Sequence, residues 1–240
     1  MKLTVSPMNG GRWKVFSPPV QRYHYVVAVD AASGKEGANE SVAQVLCIEN
    51  GKQCAVLAGL INPDIMAFEA EKAGYLYNEA IIAVERELHG QTIINALKGR
   101  GYPNIYFHIE TMTSMGGMST REYGWNARQY RQTAIDWLQQ DIGYSASKKP
   151  EEKNKAVFVY DPDTINQLGY FIRNKSTGKM EAASGKYDDR VSALYIANFV
   201  RREKYEFYMT PEEKPREKTF LDILAHGSDD PEGMVNLGED

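Results

Sequence analysis

Short apolar runs, each closed by a polar or turn-forming residue, divide the chain. The run from His24 to Val29 is continuous and rich in valine, the pattern of a strand buried on both faces, and it ends at Asp30. Ser41 to Ile48 and Gln53 to Ile61 read as two more strands, joined through Asn50-Gly51, a strong hairpin signal. Asn62-Pro63-Asp64 opens a helix, with Ile65, Phe68, Lys72 and Leu76 down one side. Ala80 to Val84 is a further short strand, ending at Glu85, and His89-Gly90 leads into a helix that turns Ile93, Ile94 and Leu97 inward. Ile105 to Ile109 predicts a strand, Gly116-Gly117 a loop, and Arg128 to Asp141 a helix. The polar stretch from Ser145 to Lys155 reads as a mobile loop, and Ala156 to Tyr160 as a strand. Asp163 is the expected cap of a short helix, and a hairpin folds around Ser176-Thr177-Gly178. Asp188-Asp189 then opens a long helix with Ala193, Leu194, Ala197 and Val200 on one side. Three strands followed by strand–helix alternation predict an α/β protein, a mixed central sheet with helices on both faces.

The pattern divides the chain into a Gly- and Pro-rich lead-in or linker remnant over 1–21, a domain over 22–204 and an acidic tail over 205–240. No apolar run approaches the ~20 residues that cross a bilayer, and the first residues lack the apolar core of a signal peptide. A cytosolic protein without a membrane partner is therefore expected. Two cysteines, Cys47 and Cys54, then read as a reduced pair, and with four scattered histidines they make a zinc site improbable. A bound metal would have to be held by carboxylates. The net charge of −4 conceals an uneven distribution: ten acids face three bases from Glu206 onward, whereas Arg121 to Lys204 holds fifteen bases and eleven acids. A local basic face is compatible with that balance, although solvated surface charge explains it equally.

The candidate chemistry lies in the acids. Asp30 and Glu85 each follow a buried-type strand, and strand ends are where ligands gather in α/β sheets. Asp188-Asp189 stands at a helix start and converges with them if the helix packs across those ends. Clustered carboxylates repel one another and need a cation to stay ionised, and hard oxygen ligands select Mg²⁺ or Mn²⁺. Two such ions, roughly 3.5–4 Å apart, suit phosphodiester hydrolysis without a histidine base. Each acid alone has a plainer role: a turn residue for Asp30, a surface charge cluster for Glu85, and helix capping for Asp188 and Asp189. Ser33-Gly34-Lys35 lacks the spacing of a phosphate loop. Lys35, Arg121, Arg128, Arg131, Lys186 and Arg190 are candidate contacts to a nucleic-acid backbone, with Lys186 and Arg190 favoured because they flank the acidic pair. Tyr123, Trp125 and Tyr130 could stack on bases, but core packing is the simpler expectation, and His89 is the expected start of its helix.

Several blocks, in order, resemble one known family. They are Tyr25-Val-Val-Ala-Val-Asp30-Ala-Ala-Ser-Gly34, then Tyr77-Asn78-Glu79-Ala80 leading to Val84-Glu85-Arg86 and His89-Gly90, then Gly101-Tyr102-Pro103, and Gly185-Lys186-Tyr187-Asp188-Asp189-Arg190-Val191-Ser192-Ala193-Leu194. Over about residues 12–202 the chain resembles the C-terminal nuclease domain of the large terminase subunit of tailed bacteriophages. That resemblance implies an RNase H-like fold and a two-metal, Mg²⁺- or Mn²⁺-dependent endonuclease that cuts concatemeric viral double-stranded DNA during packaging. It implies metal-binding roles for Asp30, Glu85, Asp189 and Asp188, with Asp189 favoured over Asp188. It also implies the packaging ATPase domain, the small terminase subunit and the portal as partners, in the host-cell cytoplasm. Asn39 stands where many relatives have Asp, so a fourth acid is absent or replaced by Glu40, and Glu87 stands where some have Asn. A DNA-gripping or docking module without cleavage, and a resolvase-like nuclease of the same fold, are the competing readings.

Overall fold

Val26 to Val29 form a strand because valine and alanine fit a pleat covered on both sides, and all four are fully buried. The structure, a computed structural model, describes residues 12–37, 39–112, 118–149, 152 and 155–208. The Gly116-Gly117 loop, four residues of the Lys- and Glu-rich loop, residues 1–11 of the lead-in segment and the acidic tail beyond Tyr208 lie outside the described residues.

The strands and helices are β1 (Lys14–Val15), β2 (Tyr25–Asp30), β3 (Ser41–Cys47), β4 (Gln53–Gly59), α1 (Pro63–Leu76), β5 (Ile81–Val84) and α2 (His89–Gly99). They continue with β6 (Phe107–Met112), β7 (Met118–Tyr123), α3 (Ala127–Tyr144), α4 (Pro162–Tyr170), β8 (Phe171–Arg173), β9 (Met180–Ala182) and α5 (Asp189–Tyr208). The main sheet has the order β1-β4-β3-β2-β5, antiparallel except for the β2–β5 pair, with α1 carrying the chain across to β5. Alternate residues of β2 serve the two layers. Val27 and Val29 pack with Met66, Ala70, Ile93 and Leu97 of α1 and α2, while Val26 and Ala28 pack with Ala134, Leu138, Leu194 and Ala197 of α3 and α5. The mixed sheet covered on both faces is as the apolar pattern predicts. Among the described residues, no helix is long and apolar enough to cross a membrane.

Several local expectations change. The buried side of α1 is Met66, Ala67, Ala70, Ala73 and Gly74, whereas Ile65 and Phe68 are exposed. Small side chains let the helix lie close to its neighbours: a Cβ on Gly74 would stand 2.3 Å from the Tyr102 hydroxyl, which donates to Ala80 O. Phe68 instead lies under Lys72 and Arg100, at 5.2 and 5.6 Å from its ring centre. Ile105 makes only a bridge to Ile82; the strand is Phe107–Met112, paired with β7, whose polar sequence gave no strand signal. Ala156 to Tyr160 is not a strand. Phe158 exchanges backbone bonds with Gly51 and Gln53, after which the Gln53 side chain takes the Tyr160 and Asp161 N–H groups and turns the chain into α4. The cap of α4 is Asp161, which accepts from Thr164 N, rather than Asp163. Cys47 and Cys54 are free and buried, and burial pushes both thiols up to about 12. Lys14–Val15 of the lead-in segment form an edge strand on β4, and α5 continues to Tyr208.

Candidate active site

Parallel pairing of β2 with β5 sets Val29 opposite Val84, so the next residues, Asp30 and Glu85, leave the sheet side by side. Glu85 N donates to Val29 O at 3.0 Å, and Glu85 also bridges Trp125, which holds its backbone on both sides. The two carboxyls are close enough to interact directly. Burial, then the charges of Glu85, Asp189 and Asp188, hold Asp30 well above the usual carboxylate range. Glu85 is also raised, chiefly by burial.

The second half of the site comes from the start of α5. Ser192 N donates to Asp188 O at 2.7 Å, which makes Asp188 the backbone cap, while its side chain stands 3.6 Å from Arg131 Nη2. Asp189 is 5% exposed and accepts from Glu40 N at 3.3 Å and from the Asn39 side chain. Burial, opposed in part by the Glu40 N–H, and the charges of Asp188 and Glu40 raise its carboxyl to about 6. Asn39 therefore supplies a hydrogen-bond donor to Asp189 at the position where a further acid was expected.

The four acids sense one another, but each is engaged locally: Asp30 with Glu85, Asp188 with Arg131, and Asp189 with the 39–40 loop. Among the described residues, no three of Asp, Glu, His or Cys stand ready as a metal cage. The donor set is nonetheless all oxygen and electrostatically unsatisfied, and a hard divalent cation would relieve both burial and repulsion.

The candidate cations fall in different environments. Lys35 is exposed in the loop after β2. Lys186, also exposed, lies 4.6 Å from the Tyr170 ring centre. Arg128 is 86% exposed and bonded to Glu87 at 2.8 Å, so the extra charge near Glu85 has a counter-ion. Arg131 donates to Met180 O at 3.0 Å beside Asp188, and its charge also reaches Glu85. Arg121 lies on β7 over the Phe107 ring at 4.9 Å. Arg190 is different: it is 8% exposed and its guanidinium pairs with Asp161 at 3.1 Å and Glu40 at 3.2 Å, which turns it inward instead of toward a nucleic acid. Trp125 is fully buried among Tyr130, Tyr195 and Phe199, a packing role. The polar residues that hold the acids were not evident from the pattern. The one signal was a pair of glutamines, Gln44 and Gln53, within apolar strands.

Behind Glu85 the chain makes a tight turn with Leu88 at φ 46°, and Gly90 lies against the Glu85 carbonyl. A Cβ on Gly90 would stand 1.6 Å from that oxygen. Gly90→Ala is expected to cost about 2 kcal/mol in urea unfolding, because the backbone must shift. An unchanged midpoint would contradict this contact.

The sheet order and the layers are those of the RNase H-like architecture. Within it, the chain is similar to the large terminase nuclease from thermophilic phage G20c with bound magnesium, at a TM-score of 0.58 and 16% identity over 80% of this chain and 89% of that one. The cobalt-bound form of that protein gives 0.57 at 17% identity, with the same shares covered. The large terminase nuclease domain of Thermus phage P74-26 gives 0.54 at 16% identity over 78% of this chain and 84% of that one. At these identities the likeness establishes the fold. No protein-family model matches the chain, and no curated protein sequence matches it.

Proposed function

We propose that the chain is a divalent-metal-dependent endonuclease acting on double-stranded DNA in phage genome packaging. The observation that carries this reading is the convergence of Asp30, Glu85, Asp188 and Asp189 at one end of the sheet, where burial raises the carboxyls of Asp30, Glu85 and Asp189. The likeness to terminase nucleases, some solved with magnesium or cobalt, supports it. Asp30, Glu85 and Asp189 would hold divalent cations, Mg²⁺ or Mn²⁺, with Asp188 in reserve. Bound there, the ions would supply activated water and charge stabilisation at the scissile phosphate. The chain's own contribution is to hold the carboxylates in a half-buried setting and to present cations around them. Arg131 stands beside Asp188, and Lys35, Arg128 and Lys186 are exposed cations that could meet the flanking backbone. Phosphate contacts of this kind carry little sequence preference. In this setting the ATPase domain, small terminase subunit and portal are the partners, in the host cytoplasm.

The lack of a ready cage among the described residues favours a second reading, a DNA-gripping or docking module without cleavage. Supercoiled plasmid incubated with Mn²⁺ or Mg²⁺ separates the two: nicked and linear products that disappear with EDTA are expected. Binding without products in either metal would support the module, and a strong preference for branched DNA would move the reading to a resolvase.

A further inference from the structure

Arg190 follows Asp189 directly, yet its backbone N–H and carbonyl and both terminal guanidinium nitrogens are bound within the protein. Two buried glutamines on the sheet begin the network: Gln53 Nε2 donates to Gln44 Oε1 at 2.8 Å, and Gln44 Nε2 donates to Arg190 O at 2.7 Å. Gln53 Oε1 accepts from Tyr160 N and Asp161 N, both at 2.7 Å. Asp161 Oδ2 accepts from Thr164 N and Oγ1 and from Arg190 Nη1, at 3.0, 2.8 and 3.1 Å. Arg190 N donates to Gln167 Oε1 at 2.9 Å, and Arg190 Nη2 pairs with Glu40 Oε2 at 3.2 Å. The same Glu40 gives its backbone N–H to Asp189 Oδ2. A buried ion pair adds little net stability over apolar packing, but a fully bonded one permits a single geometry.

We infer that Arg190 is a positioning residue for the candidate metal site: anchored by Asp161 and Glu40, it sets the first turn of α5 and the Asn39–Glu40 loop, and with them the direction in which Asp189 faces Asp30 and Glu85. This inference rests on the metal-binding reading of those acids and adds the element that orients them. The guanidinium touches no reacting atom. Its effect passes through the backbone on one side and through Glu40 on the other. Asp161 is the fixed point, because its carboxyl caps α4 and is fully buried.

The test is calorimetric titration of MnCl₂ into the 240-residue chain, metal alone, well below the unfolding temperature, for wild type, Arg190→Gln and Asp161→Asn. Asp161→Asn retains the α4 cap while losing the charge, so it keeps the test open if Arg190→Gln does not fold. Expected are a Mn²⁺ dissociation constant about tenfold weaker in Arg190→Gln and a smaller weakening in Asp161→Asn. DNA affinity in EDTA should be unchanged in both. Folded variants that bind Mn²⁺ like wild type overturn the inference even if their melting temperatures fall, since that is a structural role only. Lost DNA affinity with unchanged Mn²⁺ binding overturns it in favour of a DNA contact. Wild type that binds no Mn²⁺ removes the metal-site reading and this inference together, whereas wild-type binding with unshifted variants removes this inference alone.

Discussion

Asp30→Asn is expected to lower DNA cleavage on the order of a thousandfold while making the metal-free fold more stable. The two effects have one cause. Asp30 lies at the end of a buried strand beside Glu85, with Asp189 and Asp188 nearby, and its carboxyl is held well above its ordinary range. Keeping it ionised without a cation is unfavourable, because burial and the neighbouring carboxylates disfavour its charge in the folded chain. Asparagine has the same shape and can still donate to Glu85, but it carries no charge to repel its neighbours or hold a cation. A stabilisation on the order of 1–2 kcal/mol is expected in urea unfolding with EDTA at pH 7.5. Plasmid nicking in Mn²⁺ and the unfolding midpoint are the two measurements. A folded Asp30→Asn variant that cuts at the parental rate would remove Asp30 from the site.

The metal-free chain should also be more stable at pH 4.5 than at pH 7.5, by about 3 kcal/mol. Asp189 is raised from 3.8 to about 6, so its proton is bound more tightly in the folded chain than in the unfolded one. That contribution is whole below about pH 4 and is lost as pH rises through about 6. Asp30 and Glu85, also raised, add in the same direction. Asp161 acts oppositely: despite burial, the Thr164, Lys14 and Arg190 interactions hold it below 3.8, so its contribution is lost only under the window considered. Mn²⁺ needs deprotonated carboxylates and should therefore stabilise mainly at the higher pH. At about a hundred times its dissociation constant it contributes ~2.7 kcal/mol, enough to close most of the gap. Urea midpoints at the two pH values, with EDTA and with Mn²⁺, test this, and Asp189→Asn should shrink the EDTA difference. Equal or greater metal-free stability at pH 7.5 would show that these acids do not sit in the electrostatic conflict described.

Much of this was legible along the chain because strand burial is written locally. A run such as Val26 to Val29 has no polar face to offer water, so both layers must cover it, and the residue that ends it emerges at the end of the strands. The same logic identified β5 and Glu85. Hydrophobicity points to Ile65 and Phe68 as the inner face of α1, whereas close packing selects alanine and glycine. β7 escaped notice because pairing with β6, not side-chain pattern, makes it a strand.

By itself, the sequence determined that Asp30 and Glu85 end buried strands and that Asp188 and Asp189 begin a helix. Only the tertiary structure decided which strands are neighbours and how each acid is engaged, because those depend on contacts far apart in sequence. Arg131 and Arg190 show the difference most clearly. Along the chain Arg131 is distant from the acidic pair, whereas Arg190 adjoins it and is the favoured nucleic-acid contact. Folding leaves one partly exposed beside Asp188 and buries the other between Asp161 and Glu40. The side of a helix that faces the sheet, and the carboxylates already buried there, decide which cation stays beside the candidate site and which is held inside the protein.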